Sequence, residues 1–426
     1  MIVEKDVNVQ FVKHLFPVIY LVALVNSLNG QENWPEFRGP NGDGIATAIS
    51  LPTALGDQSN IAWETPIHGR GWSSPVIWGQ QIWLTSATED GKQMFGICVD
   101  LDTGEVIHDK LIYQNENPRF KHATNSYASC TPVVEAGRVY LHFGSYGTTC
   151  LDTSTGKTIW SREDFECDHF RGPGSSPILY GDNLIVAYDG ADKQYVVALN
   201  KKTGETVWKT DRNLEYGTDN GDWKKAYGTA SVFEIAGKPI LIYPSASATV
   251  AYDPINGNPM WTVYHDGMNA SARPLLTEDG LVILTNGMGR MDAVNPKGSG
   301  DITKTNIDWT ISKNVTRRPS PILVNGNLFM FNDKGIASCV RAADGKIMWQ
   351  ERIRTTFASS PIFDGEHIFA FSEKGQIYAI RPTGEFDLVE ETELGDGFKA
   401  SPAVAGNRLI LRSISKLYCI NGKPKN

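Results

Sequence analysis

The chain has no apolar run long enough to cross a bilayer comfortably: its longest nearly apolar stretch is Leu15 to Val25. It has no surplus of positive charge either. The formal net charge of -8 argues against nucleic acid as a partner. Cysteine is scarce, with six residues, none adjacent to another and none ahead of Cys98. A lipid anchor on an N-terminal cysteine is therefore not expected. No Cys-x-x-Cys-His haem run occurs, and with 41% hydrophobic and 21% charged residues nothing in the composition points to disorder.

What the chain does have is 41 Gly, 22 Pro and 11 Trp, the material of many short strands and tight turns. Lys5 and Lys13 precede Leu15 to Val25, and Asn26, Ser27, Asn29 and Gly30 follow. This layout predicts a secretory signal peptide over residues 1–30, cleaved after Ser27 or Gly30, although Glu4 and Asp6 dilute its positive end. Residues 31–59 contain the Gly/Pro-rich run Trp34 to Gly44, read as a docking segment whose Trp34 and Phe37 lie against the body.

Two markers tile the remainder. The first is a small-small-Pro-apolar strand start, at Ser73-Ser-Pro75, Cys130-Thr-Pro132, Ser175-Ser-Pro177, Ser320-Pro321, Ser359-Ser-Pro361 and Ala400-Ser-Pro402, with Pro274 and the proline-free Thr229-Ala-Ser231 completing eight. The second is an apolar run, a Thr-Gly-like turn and a Trp four residues after the Gly, at Cys150 to Trp160, Ala198 to Trp208, Ala251 to Trp261 and Cys339 to Trp349. Weaker copies surround Gly104, Gly300 with Trp309, and Gly384. Each period then holds four strands, A to D, with the Pro at the start of A and the Trp on D.

The last period supplies only three strands, while an unaccompanied strand surrounds Trp63. Joining the two ends closes a ring and removes exposed edges. The sequence therefore predicts an all-β chain: a single eight-bladed β-propeller of four-stranded antiparallel blades over residues 60–421, with a closing blade shared between the N- and C-terminal strands and a tail at 422–426. Trp63, Trp160, Trp208, Trp261, Trp309 and Trp349 are expected to dock neighbouring blades.

The unit Ala-x-Asn/Asp-x-x-Thr-Gly-x-x-x-Trp resembles the tryptophan-docking motif of pyrroloquinoline-quinone (PQQ) type propellers. Arg38-Gly-Pro40, Gly71-Trp-Ser-Ser-Pro75, Cys167-Asp-His169 and Gly172-Pro-Gly-Ser-Ser-Pro177 also resemble a family of secreted bacterial PQQ-like repeat proteins, similar in fold to the outer-membrane-assembly propeller. The resemblance implies the fold. For activity it implies two classes, because such propellers include dehydrogenases as well as scaffolds.

Quinoprotein alcohol dehydrogenases of this fold carry a vicinal disulfide, a Ca²⁺ site and an Asp base. No Cys-Cys pair exists here and no calcium motif is recognisable. Cys98, Cys150 and Cys339 stand six residues before the turn Gly, where Ala198 and Ala251 stand in other blades, and Cys419 lies on strand C of the last blade; these four read as small buried residues. A Cys130–Cys167 disulfide is geometrically conceivable. Cys167-Asp168-His169 offers too few ligands at recognisable spacing for a soft metal, so it reads as loop structure, and no metal is assigned. His122 and Ser126 lack the partners of a hydrolase triad.

The loops leading into each strand A carry one cation apiece: Arg70, Lys121, Arg171, Lys224, Arg273, Arg318, Arg354 and Lys399. Aromatics interleave, among them Trp72, Phe120, Tyr127, Phe170, Trp223, Tyr227, Phe357 and Phe398. The expectation is a positive mouth at one end of the central channel, partly neutralised by Asp168, Asp222, Asp266 and Asp396. The candidate ligand set is these eight cations with Trp72, Trp223, His122 and His169. The reading that follows is a secreted or periplasmic non-catalytic propeller that binds an envelope protein segment or an anionic small molecule. A PQQ- and calcium-dependent oxidoreductase of alcohols or sugars is the alternative, and polysaccharide binding through the aromatic rim a further one.

Overall fold

The computed structural model describes residues 33–424, and the predicted signal peptide lies outside them. The described residues fold into eight radially arranged antiparallel sheets, the blades of a β-propeller, each built on four strands lettered A to D from the central channel outward. In chain order the blades cover residues 76–114, 133–162, 178–211, 231–264, 275–311, 322–352, 362–393 and 403–421. No helix among the described residues is long and apolar enough to cross a membrane.

The eighth blade takes its outer strand from the other end of the chain. Ile61–Pro66 pairs antiparallel with Lys416–Asn421, Trp63 standing opposite Cys419. Below it Ile49–Ser50 pairs with Lys423–Pro424. Edge N–H and C=O groups at both ends are thereby satisfied within the chain.

The recurrent Trp works by the same geometry in most blades. On strand D it faces a small residue on strand C: Cys150 for Trp160, Ala198 for Trp208, Ala251 for Trp261, Ala293 for Trp309, Cys339 for Trp349. The cysteines of strand C are thus small residues making room for an indole. The rings of Trp63, Trp160, Trp208 and Trp309 lie on the turn Gly of the next blade. A Cβ on Gly104, Gly204 or Gly345 would fall 2.7–2.8 Å from the ring of Trp63, Trp160 or Trp309, and each of these glycines also has positive φ. The indole N–H donates to a carbonyl of that same turn region, Leu101 for Trp63 and Lys201 for Trp160, both at 3.0 Å.

Four blades depart from this pattern. In blade 6 the Trp349 N–H reaches the Thr383 carbonyl at 3.2 Å but a Cβ on Gly384 would meet only Met348, and in blade 7 Glu390 stands opposite Ala379 where the Trp would be. Trp261 is buried but its Nε1 finds no acceptor among the described residues, because the next blade replaces the turn by a longer excursion whose Gly300–Asp301 pairs parallel with Trp261 and Thr262. On blade 1 the Trp position is His108, which faces Cys98 and reaches the Thr153 carbonyl at 3.3 Å, a smaller ring in the same role.

Around the channel the strand-A marker forms a second lock. The backbone N–H of Ser74 donates to the Thr131 hydroxyl (3.0 Å), Thr131 to Ser176 (2.9 Å) and Ser176 to Thr229 (3.2 Å). Arg273 donates in turn to Ser320 (2.9 Å), Ser320 to Ser360 (3.0 Å), Ser360 to Ser401 (2.9 Å) and Ser401 back to Ser74 (3.0 Å). The belt has one gap, between blades 4 and 5, where Arg273 takes the hydroxyl position.

Residues 34–46 run around the inside of the channel below this belt. Trp34 pairs with Ile77 of blade 1, the Pro35 carbonyl accepts from Val134 of blade 2, and the Gly44 carbonyl accepts from Phe363 of blade 7. Arg38, fully buried, donates to the Pro321 carbonyl at 2.9 Å, and Arg273 grips Glu36 at 2.6 Å. This segment divides the channel into an upper mouth and a lower chamber.

Gly181 and Gly204 both have positive φ, but only Gly204 is covered by a Trp; space around Gly181 is open. Gly181→Ala should cost about 1–2 kcal/mol from the left-handed backbone alone, and Gly204→Ala roughly 1–3 kcal/mol more from displacing Trp160. Denaturant midpoints of the two variants test this; equal losses would show that the indole contact contributes nothing.

Candidate functional site

The upper mouth is a cavity of about 370 Å³ walled by the loops that lead into strands A. Its floor is the hydroxyl belt, with Ser74, Thr131, Ser176, Thr229, Ser360 and Ser401 exposed to it, and Phe37 of the channel segment closing the centre. Arg171, Arg317, Arg318, Lys399 and His122 line the walls together with Trp72 and Tyr227, against one carboxylate, Asp333. The chemistry on offer is therefore hydrogen-bond donors and positive charge over aromatic faces.

Of the twelve residues singled out from sequence, Trp72, His122, Arg171, Arg318 and Lys399 come together here. The Trp72 ring is approached by Arg70 at 5.0 Å and by Lys399 at 5.3 Å, and its N–H donates to the Thr124 carbonyl. His122 is anchored through Nδ1 to the Thr124 hydroxyl at 2.8 Å. Arg70 and Lys121 stand outside the cavity on Glu89, at 2.8 and 3.7 Å. Trp223 and Lys224 occupy a short 3-10 turn, Gly221–Lys224, beyond the rim, Trp223 exposed and Lys224 over the Tyr216 ring. Arg354 is exposed and has no ion-pair partner among the described residues.

Two of the twelve belong to other parts of the structure. Arg273 is buried below the belt, bonded to Glu36, to the Phe37 carbonyl and to the Ser231 hydroxyl, so it holds the channel segment and does not face the mouth. His169 is mostly buried between blades 2 and 3. Its Nε2 accepts from the Ser145 N–H at 3.0 Å and its ring lies 3.5 Å from the Cys167 sulfur. Burial lowers its pKa to about 3, with the charges of His142, Lys225 and Arg119 acting in the same direction. All six cysteines, Cys130 and Cys167 included, are free and buried.

The mouth is also less positive than eight cations suggest, because six of them meet carboxylates. Arg171 forms a two-pronged pair with Asp222, its Nε at 2.6 Å. Arg318 and Lys399 share Glu373 at 2.5 and 2.9 Å. Burial of Glu373 works to raise its pKa, but the two cations outweigh that and hold the carboxyl below its usual range. Of the four aspartates expected to neutralise the set, only Asp222 forms an ion pair; Glu89, Glu36 and Glu373 do the rest. The belt hydroxyls and Arg317 were missed as lining residues, although the strand-A marker contains the hydroxyls and Arg317 adjoins Arg318 in the chain.

Fold, docking Trp residues and mouth together define an eight-bladed propeller of the quinoprotein type. The chain belongs to the family described as outer membrane protein assembly factor BamB, whose model matches residues 62–211 and 192–423. BamB of Moranella endobia (strain PCIT) is 24% identical over 256 residues, which are 58% of this chain and 61% of that relative, so the match spans less than two thirds of it. Among solved structures, a europium-containing methanol dehydrogenase superposes with a TM-score of 0.68 at 13% identity, covering 90% of each chain. BamB from Moraxella catarrhalis does so with 0.60 at 12% identity, covering 85% of this chain and 99% of the other. At such identities the likeness is one of fold.

A calcium-bound quinone needs several oxygen ligands about the metal. The mouth offers one carboxylate, Asp333, and the amides of Asn125 and Asn269, against Arg171, Arg317, Arg318 and Lys399, so a divalent cation there would meet more positive than negative charge, and the described residues contain no group of three or more His, Cys, Asp or Glu placed to hold a metal ion. The residues present do not fit that group.

The buried histidines set a pH dependence. His142, bonded through Nδ1 to the Thr148 hydroxyl at 2.8 Å, also has its pKa lowered to about 3 by burial. Its folded pKa lies below the unfolded value near 6.5, so its contribution is complete above pH ~6.5 and is lost as pH falls toward 3. His142→Gln should flatten the acid-side loss by about 1.4 kcal/mol per pH unit in that window. Denaturation of both proteins at pH 7 and pH 4.5 checks this; parallel losses would place the proton uptake elsewhere.

Proposed function

We propose that this chain is a non-catalytic propeller of the bacterial envelope, secreted or periplasmic, that takes an acidic segment of another envelope protein in the channel mouth. An anionic small molecule shares the same recognition chemistry. The observation that carries the reading is the lining itself: Arg171, Arg317, Arg318, Lys399 and His122 over a floor of hydroxyls, with Asp333 as the one carboxylate. Partial pairing of Arg171 and Lys399 does not remove their donors. An Arg has five N–H groups, and Arg171 gives two of them to Asp222. Trp72 and Tyr227 supply flat apolar contact for side chains beside the carboxylates.

Membership of a family described as assembly factors supports the envelope role. The quinone-enzyme reading draws only on fold likeness, and the mouth lacks the ligands it requires.

Binding of a fluorescein-labelled Asp/Glu-rich octapeptide, followed by anisotropy at low and physiological salt, tests the proposal. The double variant Arg317→Ala/Arg318→Ala should weaken binding by on the order of tenfold or more, and the affinity should fall steeply with salt. Glu373→Gln, which frees Arg318 and Lys399, should strengthen it. Unchanged affinity in both variants would sink the mouth as the site, and dye reduction by alcohols on adding PQQ and Ca²⁺ would overturn the non-catalytic reading.

A further inference from the structure

The midpoint of each strand A presents one backbone N–H to the channel. In blades 1, 2 and 7 that donor is taken by a carbonyl of the channel segment: Ile77 by Trp34 (2.8 Å), Val134 by Pro35 (2.9 Å) and Phe363 by Gly44 (3.0 Å). In blade 3 the Leu179 N–H faces the Glu36 carboxylate and works to lower its pKa. The segment thus satisfies the channel wall at one residue per blade, Trp34, Pro35 and Glu36 serving three successive blades.

The matching positions in blades 4, 5 and 6, three residues after Thr229, Arg273 and Ser320, are Val232, Leu276 and Leu323. None has such a partner among the described residues, and all three are partly exposed and line the lower chamber, a cavity of about 430 Å³. That volume lies within the usual range for ligand clefts, roughly 300–1,000 Å³. The eighth equivalent, Val404, is buried. Ile178, Leu179, Val232, Leu275 and Leu276 make the chamber wall apolar.

We propose that the lower chamber is a docking groove for an extended segment of a partner protein, whose successive carbonyls accept the inward N–H groups of Val232, Leu276 and Leu323. The wall already binds one extended peptide this way in the neighbouring blades, so the groove continues an interface the chain makes with itself. Apolar side chains of the incoming segment pack on Val232, Leu275 and Leu276 while its backbone is satisfied at the free donors, the division of labour in strand addition. Charge selects the rest of its chemistry. Glu36, Asp43 and Glu234 border the chamber, and its one cation, Arg273, is already bonded to Glu36. Glu234 is exposed and has no ion-pair partner among the described residues. A free anion is therefore disfavoured at these donors, and a segment bearing Lys or Arg beside its apolar residues is favoured.

The probe is a random dodecapeptide library selected on the full chain. Recovered peptides should be apolar with Lys or Arg, and should slow amide hydrogen exchange at the strands containing Val232, Leu276 and Leu323. Leu276→Trp, which fills the chamber, should abolish their binding. Glu234→Lys, an exposed change that leaves the packing intact, should weaken it by on the order of tenfold. The mouth variant Arg317→Ala/Arg318→Ala should bind them as the parent does, which separates this site from the mouth. Failure to recover peptides sensitive to Leu276→Trp or Glu234→Lys, or protection that spares the three strands, overturns the proposal.

Discussion

Everything in this molecule depends on an indole lying flat on a glycine of the neighbouring sheet. The contact demands three things at once: a small residue facing the Trp across its own blade, a turn residue without a side chain in the next, and a backbone there that accepts positive φ. Each demand falls on a different strand, so satisfying all three fixes how one blade sits on the next and leaves only the ends to be joined. The Trp63 strand joins them, and Trp63 itself makes the same contact with Gly104 of blade 1. Ring closure is thus one more instance of the ordinary contact between blades.

The site follows from that frame. Once the blades are held at the rim, their inner strands converge, and the residues before each strand-A proline are brought into hydrogen-bonding range of one another. The belt they form does two jobs: it locks the inner edges together and it paves the mouth with hydroxyls. Polarity at the mouth is a by-product of how the fold closes, and the surrounding Arg and Lys residues give it a sign.

Much of the fold was legible because its cause is local. A Gly four residues before a Trp and a proline opening a strand are both patterns a single stretch can show. The electrostatics were less legible because the compensating carboxylates arrive from elsewhere. Glu89 and Glu373 sit on turns between strands B and C, which emerge on the same face as the loops leading into strand A, so cations chosen from one class of loop meet partners from the other. Glu36 reaches Arg273 from more than two hundred residues away. His108 was overlooked as a docking ring because imidazole does not resemble indole in a sequence, and the Trp34 to Gly44 run carries no periodicity to reveal that it binds through its backbone.

The gap in the hydroxyl belt has a consequence for how the channel segment finds its place. Eight nearly equivalent blades offer an intruding peptide eight nearly equivalent rotational settings, and the inward N–H groups alone do not tell one from another. Blade 5 breaks the degeneracy: where its neighbours have a hydroxyl it has Arg273, which reaches Glu36 and the Phe37 carbonyl and over which Gly42 passes with no side chain to collide. The blade that interrupts the belt acts as an index mark on a dial, and a ring built from repetition acquires a defined orientation from the one belt position that does not repeat.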